Sequence, residues 1–246
     1  MNKNDIRVGL ISPSIFKNPL KWLAIKKLKR SHKKLHNKNS LFYPTQPSLL
    51  EGIIKAIDKS TILKGNAYYE FGVFKGFSLW FAQMYAKYKK ISLQLYGFDS
   101  FEGLPKSKVD SSKPSFNKGH YSSSYNFILN KFKELDVSLK KIKLFKGFYS
   151  KELFDKIEKE NKLLPISICV IDVDIYESCI EVLEFIKDKL VVGSIILFDD
   201  YNVFLKSNDH SERKALIEFK KKNPSIKIKH LFNFGWGGAA FEVTNI

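Results

Sequence analysis

Cysteine is scarce in this chain, and its scarcity removes several kinds of protein at once. Cys169 and Cys179 are the only two in 246 residues, too few for a disulfide framework or a Cys-rich zinc site. Both sit in or beside apolar segments, so they read as buried free thiols in a reducing cytoplasm. Long apolar runs are missing too. No stretch of about 18 apolar residues exists, so no membrane-spanning helix is expected. The N-terminus lacks the apolar core and small-residue cleavage site of a secretory leader, which points to a cytoplasmic location. The Gly-x-Gly-x-x-Gly turn of pyrophosphate-binding folds is absent as well, and no internal repeat is visible.

Acid is scarce in one region only. Residues 1–40 hold eleven Lys or Arg against the single acid Asp5, so ten of the seventeen net positive charges lie there. We read 1–40 as a basic N-terminal arm and 41–246 as one α/β domain, long enough for a sizeable core. Within the arm, Trp22, Ile25 and Leu28 suit a short basic amphipathic helix, which fits a weak contact with an anionic membrane surface. The preferred reading is a solvated arm that packs on a second subunit or over the active site, and a homo-oligomer is expected. The remainder is only mildly basic, so a nucleic-acid partner is not expected.

The stretch Asn66–Ser78 organises the rest. Ala67, Tyr68, Tyr69 and Phe71 suit a buried strand. Gly72 and Gly76 permit a tight turn and a close approach to a ligand. Leu79, Trp80, Phe81, Met84, Tyr85 and Tyr88 then recur at helical spacing. Glu70 ahead of the first glycine would repel a pyrophosphate. It suits a cationic or hydroxyl-bearing ligand such as S-adenosylmethionine (SAM), which has an ammonium group and no phosphate.

Strand and helix patterns alternate from there to the end. Strands are expected near 67–72, 92–98, 140–145, 166–172, 194–199, 226–232 and 239–244. Helices are expected near 48–58, 77–88, 121–135, 150–159, 177–189 and 210–222. The alternation implies a mostly parallel sheet with helices on both faces. Only residues 233–238 separate the last two strands, so the final strand should run antiparallel. The expected fold is therefore a Rossmann-like class I methyltransferase sheet of about seven strands.

Ligands of open α/β sheets bind at the carboxyl ends of the strands. Four of the first five strands end on an acid: Glu70, Asp99, Asp172 and Asp199. Carboxylates are costly to bury without a partner, so the set reads as functional. Asp99, 23 residues beyond Gly76, is placed to accept both ribose hydroxyls of an adenosyl group. Strands four and five should be neighbours, letting Asp172, Asp199 and Asp200 converge. Three hard oxygen ligands without His or Cys suit Mg²⁺. Asp174 is an alternative ligand.

At these residues the chain resembles the macrocin/mycinamicin/novobiocin-type sugar O-methyltransferases. The resemblance rests on Glu70–Gly76, Phe98–Pro105, Lys146–Phe148, Ile171–Ser178 and Phe198–Tyr201. It implies SAM as methyl donor, Mg²⁺ at the strand-end aspartates and a small-molecule or glycan hydroxyl as acceptor. It assigns SAM contacts to Glu70, Gly72, Gly76, Asp99 and Ser100, and metal ligation to Asp172, Asp199 and Asp200. Phe74, Ser78 and Gly147 complete the expected cofactor-binding set. Two departures stand out: Lys75-Gly76-Phe77 replaces paired glycines, and Val191-Val192-Gly193 replaces Pro-Gly-Gly.

A sugar hydroxyl needs a base, and Asp172 or Asp174 is the expected one, with His120 as a second candidate. Residues 106–119, rich in Ser and Lys, read as a mobile loop able to close over the acceptor. Trp236 could offer a platform for a sugar ring. Two other functions remain open: a nucleic-acid or protein methyltransferase using the arm, and a non-catalytic SAM-binding protein. The Asn-Pro-Pro-Tyr motif of base-amino methylation is absent, which counts against the first. The retained strand-end acids count against the second.

Overall fold

The computed structural model describes residues 47–112, 116–134, 137–205, 207–235 and 237–246. The arm at 1–40 and Trp236 lie outside the described residues, so the expectations placed on them are not taken further structurally. The described residues form α1 (Pro47–Lys59), β1 (Ala67–Phe71), α2 (Phe77–Tyr88), β2 (Gln94–Asp99), α3 (Tyr125–Glu134), β3 (Ile142–Lys146), α4 (Lys151–Glu160), β4 (Ile166–Ile171), α5 (Tyr176–Ile186), β5 (Ile195–Phe198), α6 (Ser211–Lys222), β6 (Lys227–Phe234) and β7 (Gly238–Asn245). Each expected strand and helix is present. Among the described residues no helix is long and apolar enough to cross a membrane.

The seven strands lie in the order β3-β2-β1-β4-β5-β7-β6. β1 to β5 pair in parallel. β7 inserts antiparallel between β5 and β6, as the short connection required. The order reverses between β1 and β4, which makes their carboxyl ends the expected ligand crevice.

Side-chain alternation along the strands divides the core into two layers. Tyr68, Leu95, Val170 and Leu197 face one side, where they meet Ile53 and Ile57 of α1 and Leu79 and Phe81 of α2. Tyr69, Phe71, Phe98 and Phe198 face the other, against Phe154 of α4, Leu183 of α5 and Phe219 of α6. The second layer is aromatic. Phe71 stacks on Phe98 at 4.5 Å and Phe98 on Phe145 at 4.9 Å, while Phe154 stacks on Phe185 at 4.0 Å. Burying each such ring stabilises the fold by roughly 1.5–3 kcal/mol. This rigid floor fixes the heights at which β1, β2 and β4 end.

The turn after β1 has a specific steric cause. Gly72 has φ 88°, and a Cβ there would lie 1.8 Å from the backbone oxygen of Asp172. A side chain is therefore excluded both by conformation and by the neighbouring strand end. Gly72 thus lets the Asp172 backbone come close. Gly76, with φ 79°, is closed by Phe132 and Ile128 of α3.

Candidate active site

The carboxyl ends of β1, β2, β3 and β4 line one cleft of about 400 Å³. Gly72, Phe74, Ser78, Asp99, Ser100 and Gly147 all contribute to its wall, and so do Asp172 and Asp174. Six of the eight expected cofactor residues thus meet in one space. Glu70 and Gly76 lie behind the wall. Glu70 is fully buried. Its carboxylate accepts the Tyr68 hydroxyl at 2.7 Å and the Ser78 hydroxyl at 2.8 Å. Burial outweighs those bonds and pushes its carboxyl up to about 7.

Asp99 is held just as closely. One oxygen accepts the Phe74 N–H at 2.7 Å and the other the Phe101 N–H at 2.6 Å. Its carboxyl is raised by burial, against the opposing pull of those N–H groups. Acceptor capacity remains on the carboxylate, because an ionised carboxylate has about four acceptor sites. Tyr149, which the sequence did not single out, ties the two strand ends together. Its hydroxyl donates to the Phe98 carbonyl at 2.9 Å and accepts the Gly72 N–H at 2.9 Å.

The other half of the cleft is acidic. Asp172, Asp174 and Asp200 each offer a carboxylate oxygen within 4.8 Å of the others. Asp174, the alternative ligand of the expectation, joins Asp172 and Asp200 in this group, while Asp199 stays near enough that its charge acts on Asp172 more strongly than any other. Asp174 adopts a left-handed φ of 63°, uncommon for a residue with a Cβ, which turns the chain after β4 back on itself. Ser211 holds that turn, its hydroxyl donating to the Asp174 carbonyl at 2.6 Å.

Like charges dominate this corner. Asp172 is raised well above the carboxylate range by burial, then by the charges of Asp199 and Asp200. Asp174 is raised by burial, then by Asp200 and Asp172. Burial and Asp200 push Asp199 up to about 8. Glu212, also unmarked by the sequence, is fully buried beside them. Burial and the charges of Asp200, Asp172 and Asp199 raise it well above its ordinary value. A set of hard oxygen donors whose mutual repulsion a divalent cation would relieve matches the chemistry of Mg²⁺.

His120 does not reach this corner. Its side chain is exposed and it is absent from the cleft wall. The next residue, Tyr121, does line the cleft. Burial, then the charges of Asp174, Asp200 and Asp172, push its phenol up to about 12. Its ring meets Phe74 edge-on at 6.1 Å. The loop expected to be mobile is pinned over residues 107–110. Ser107 donates to Glu177 at 2.7 Å, and the Lys108 N–H donates to the same carboxylate at 2.7 Å. Buried Asp110 accepts the Tyr176 N–H at 2.7 Å and the Ser211 N–H at 3.0 Å.

The sequence profile of the macrocin-O-methyltransferase (TylF) family matches residues 49–234, well over half of the chain. The chain belongs to this family. It is a SAM-dependent O-methyltransferase. Solved structures share its fold. The O-methyltransferase NovP superposes with a TM-score of 0.65 at 18% identity, covering 80% of each chain. The calicheamicin methyltransferase CalS11 gives 0.59 at 20%, covering 79% of this chain and 77% of its own. Its apo form is described as a TDP-rhamnose 3'-O-methyltransferase and gives 0.51 at 17%, covering 78% of each chain. TomG from Streptomyces achromogenes, solved with SAM, gives 0.51 at 11%, covering 80% and 78%. A search of curated proteins finds no match.

Proposed function

We propose that this O-methyltransferase acts on a hydroxyl of a sugar or glycoside, with Mg²⁺ held by Asp172, Asp174 and Asp200. The observation that carries the proposal is the convergence of those three carboxylates, two of which, Asp172 and Asp174, line the same cleft as Asp99 and Ser78. CalS11, which shares the fold, is described as acting on a nucleotide-linked sugar. SAM supplies an electrophilic methyl group on a sulfonium. In this reading Asp99 accepts the ribose hydroxyls with the lone pairs its backbone partners leave. Ser78, itself bonded to Glu70, lies along the methionine end, and Gly147 gives room at the adenine side.

A sugar hydroxyl is a weak nucleophile at neutral pH, and a bound Mg²⁺ would lower its pKa. The chain's own part is to align the acceptor oxygen and take its proton. Asp172 and Asp174 both line the cleft, and one of them accepts the proton as the oxygen attacks. Tyr121, protonated at neutral pH, faces the same corner and can donate a hydrogen bond to the acceptor. The basic arm is proposed as a separate segment that assists acceptor engagement or subunit contact and not SAM binding.

The test combines chelation with a panel of acceptors. With nucleotide sugars and simple glycosides as substrates and excess chelator, turnover should vanish and return on adding Mg²⁺ or Mn²⁺. SAM binding, followed by calorimetry, should persist throughout. Full activity in excess chelator would remove the metal from the mechanism.

A further inference from the structure

Glu212 has no role in the chemistry above, yet it sits where a carboxylate is costly. It is the second residue of α6 and has 0% exposure. Acids are ordinary in the first turn of a helix, where they face solvent and the helix dipole. This one points inward, toward three other carboxylates. Burying a fourth negative group there opposes folding, so a compensating contact is expected.

The contacts are two backbone N–H groups from two different loops. Oε1 accepts the Val173 N–H at 3.4 Å, and Oε2 accepts the Asp200 N–H at 2.9 Å. Val173 lies between Asp172 and Asp174. Asp200 contributes the third carboxylate. Each loop that supplies the acidic group is therefore held by one oxygen of the same side chain. The flanking residues reinforce the attachment. Ser211 bonds to the Asp174 carbonyl at 2.6 Å, and the Arg213 guanidinium lies 4.4 Å from the Tyr201 ring centre.

We propose that Glu212 is a positioning residue: by bridging Val173 and Asp200 it sets the spacing at which Asp172, Asp174 and Asp200 converge on a divalent cation. The inference rests on the reading of those three as the metal site. A carboxylate suits the task because it is an acceptor only, with two oxygens for two donors. Glutamine would turn an NH₂ toward one of the N–H groups. Aspartate keeps the charge but is one methylene too short to span both loops.

Mn²⁺ binding, measured by electron paramagnetic resonance without substrate, tests this. The proteins compared are the parent, Glu212→Gln and Glu212→Asp. SAM affinity is measured in parallel by calorimetry. Partners that orient metal ligands typically change metal affinity about 10–100-fold. Both variants are therefore expected to bind Mn²⁺ at least about tenfold more weakly, with SAM affinity within about twofold of the parent. Parent-like Mn²⁺ binding by Glu212→Asp would show that only its charge matters and would overturn the proposal. Parallel loss of Mn²⁺ and SAM would show a merely structural role and overturn it too. A parent that binds no Mn²⁺ would bring down the metal reading itself, a result distinct from either.

Discussion

The two halves of the cleft handle their carboxylates in opposite ways. At the ends of β1 and β2, Glu70 and Asp99 are each satisfied from two sides, by the hydroxyls of Tyr68 and Ser78 and by the N–H groups of Phe74 and Phe101. After the end of β4, Asp172 and Asp174 are influenced most strongly by burial and by other carboxylates. In the first half each carboxylate already has hydrogen-bond donors from the chain, and Asp99 keeps acceptor capacity for a ligand. The second carries a repulsion that an added positive charge would relieve. Asp99, on the cleft wall and held by neutral donors, suits recognition of hydroxyls. A crowded anionic group suits a metal.

The sharpest way to break this comparison is to remove one acid from the crowded half. Asp200→Asn is expected to lower kcat at ordinary Mg²⁺ by about a thousandfold, roughly 4 kcal/mol, with partial rescue at high Mn²⁺. Asp199→Asn should cost much less, because Asp199 lies outside the group of three oxygens. SAM affinity should hold in both variants. Equal losses from the two substitutions would return Asp199 to the ligand set.

Second in size is a pH effect in the other half. Glu70 has a folded-state pKa of about 7 against an ordinary value of 4.5. A raised carboxyl binds more protons in the native state. Its stabilising contribution is therefore full below pH 4.5, shrinks as pH rises and is lost above 7. The shift corresponds to about 3 kcal/mol. Denaturant unfolding of the SAM-free protein should show stability falling across that window. Glu70→Gln, neutral throughout, should fall less. Identical slopes for the two proteins would mean that Tyr68 and Ser78 hold Glu70 ionised.

Much of this was legible from the residues. Acids at the ends of apolar strand runs marked the cleft, and the six residues 233–238 marked the antiparallel closure. What was not legible shares one physical cause. Glu212 reads as an ordinary first-turn acid, and only its bonds to Val173 and Asp200 reveal its direction. Tyr149 reaches Gly72 across 77 positions. Asp110 and Glu177 pin a segment whose Ser and Lys content suggests mobility. Bonds between side chains and distant backbone leave no local period. The place of Asp174 in the acidic group has a different source, the left-handed φ at that residue, which the residue type does not announce.

A smaller effect is expected at Asp99, where Asn keeps the shape but loses one acceptor. The new NH₂ would face the N–H of Phe74 or Phe101, and a ribose hydroxyl would lose a charged partner. Asp99→Asn is expected to weaken SAM binding about tenfold, near 1.4 kcal/mol. Calorimetry is the direct check. Unchanged SAM affinity would place the ribose elsewhere in the cleft.

The smallest effect separates two adjacent residues, His120 and Tyr121. The His120 side chain is exposed and outside the cleft wall, and its carbonyl accepts the Leu104 N–H at 2.9 Å. Alanine retains that bond, so His120→Ala should leave kcat and SAM affinity within about twofold, the usual range for a surface substitution. Tyr121 is different, because it lines the cleft and its phenol senses the three aspartates. Removing its hydroxyl deletes one hydrogen bond to the acceptor, about 1 kcal/mol, so Tyr121→Phe should raise the acceptor KM about fivefold. SAM affinity should not move. The pH profile of kcat decides between the two residues. If the acidic corner supplies the base, His120→Ala keeps the parent's profile. A drop of more than about tenfold, with a changed profile, would make the imidazole the base. Asp172 and Asp174 would then serve the metal alone.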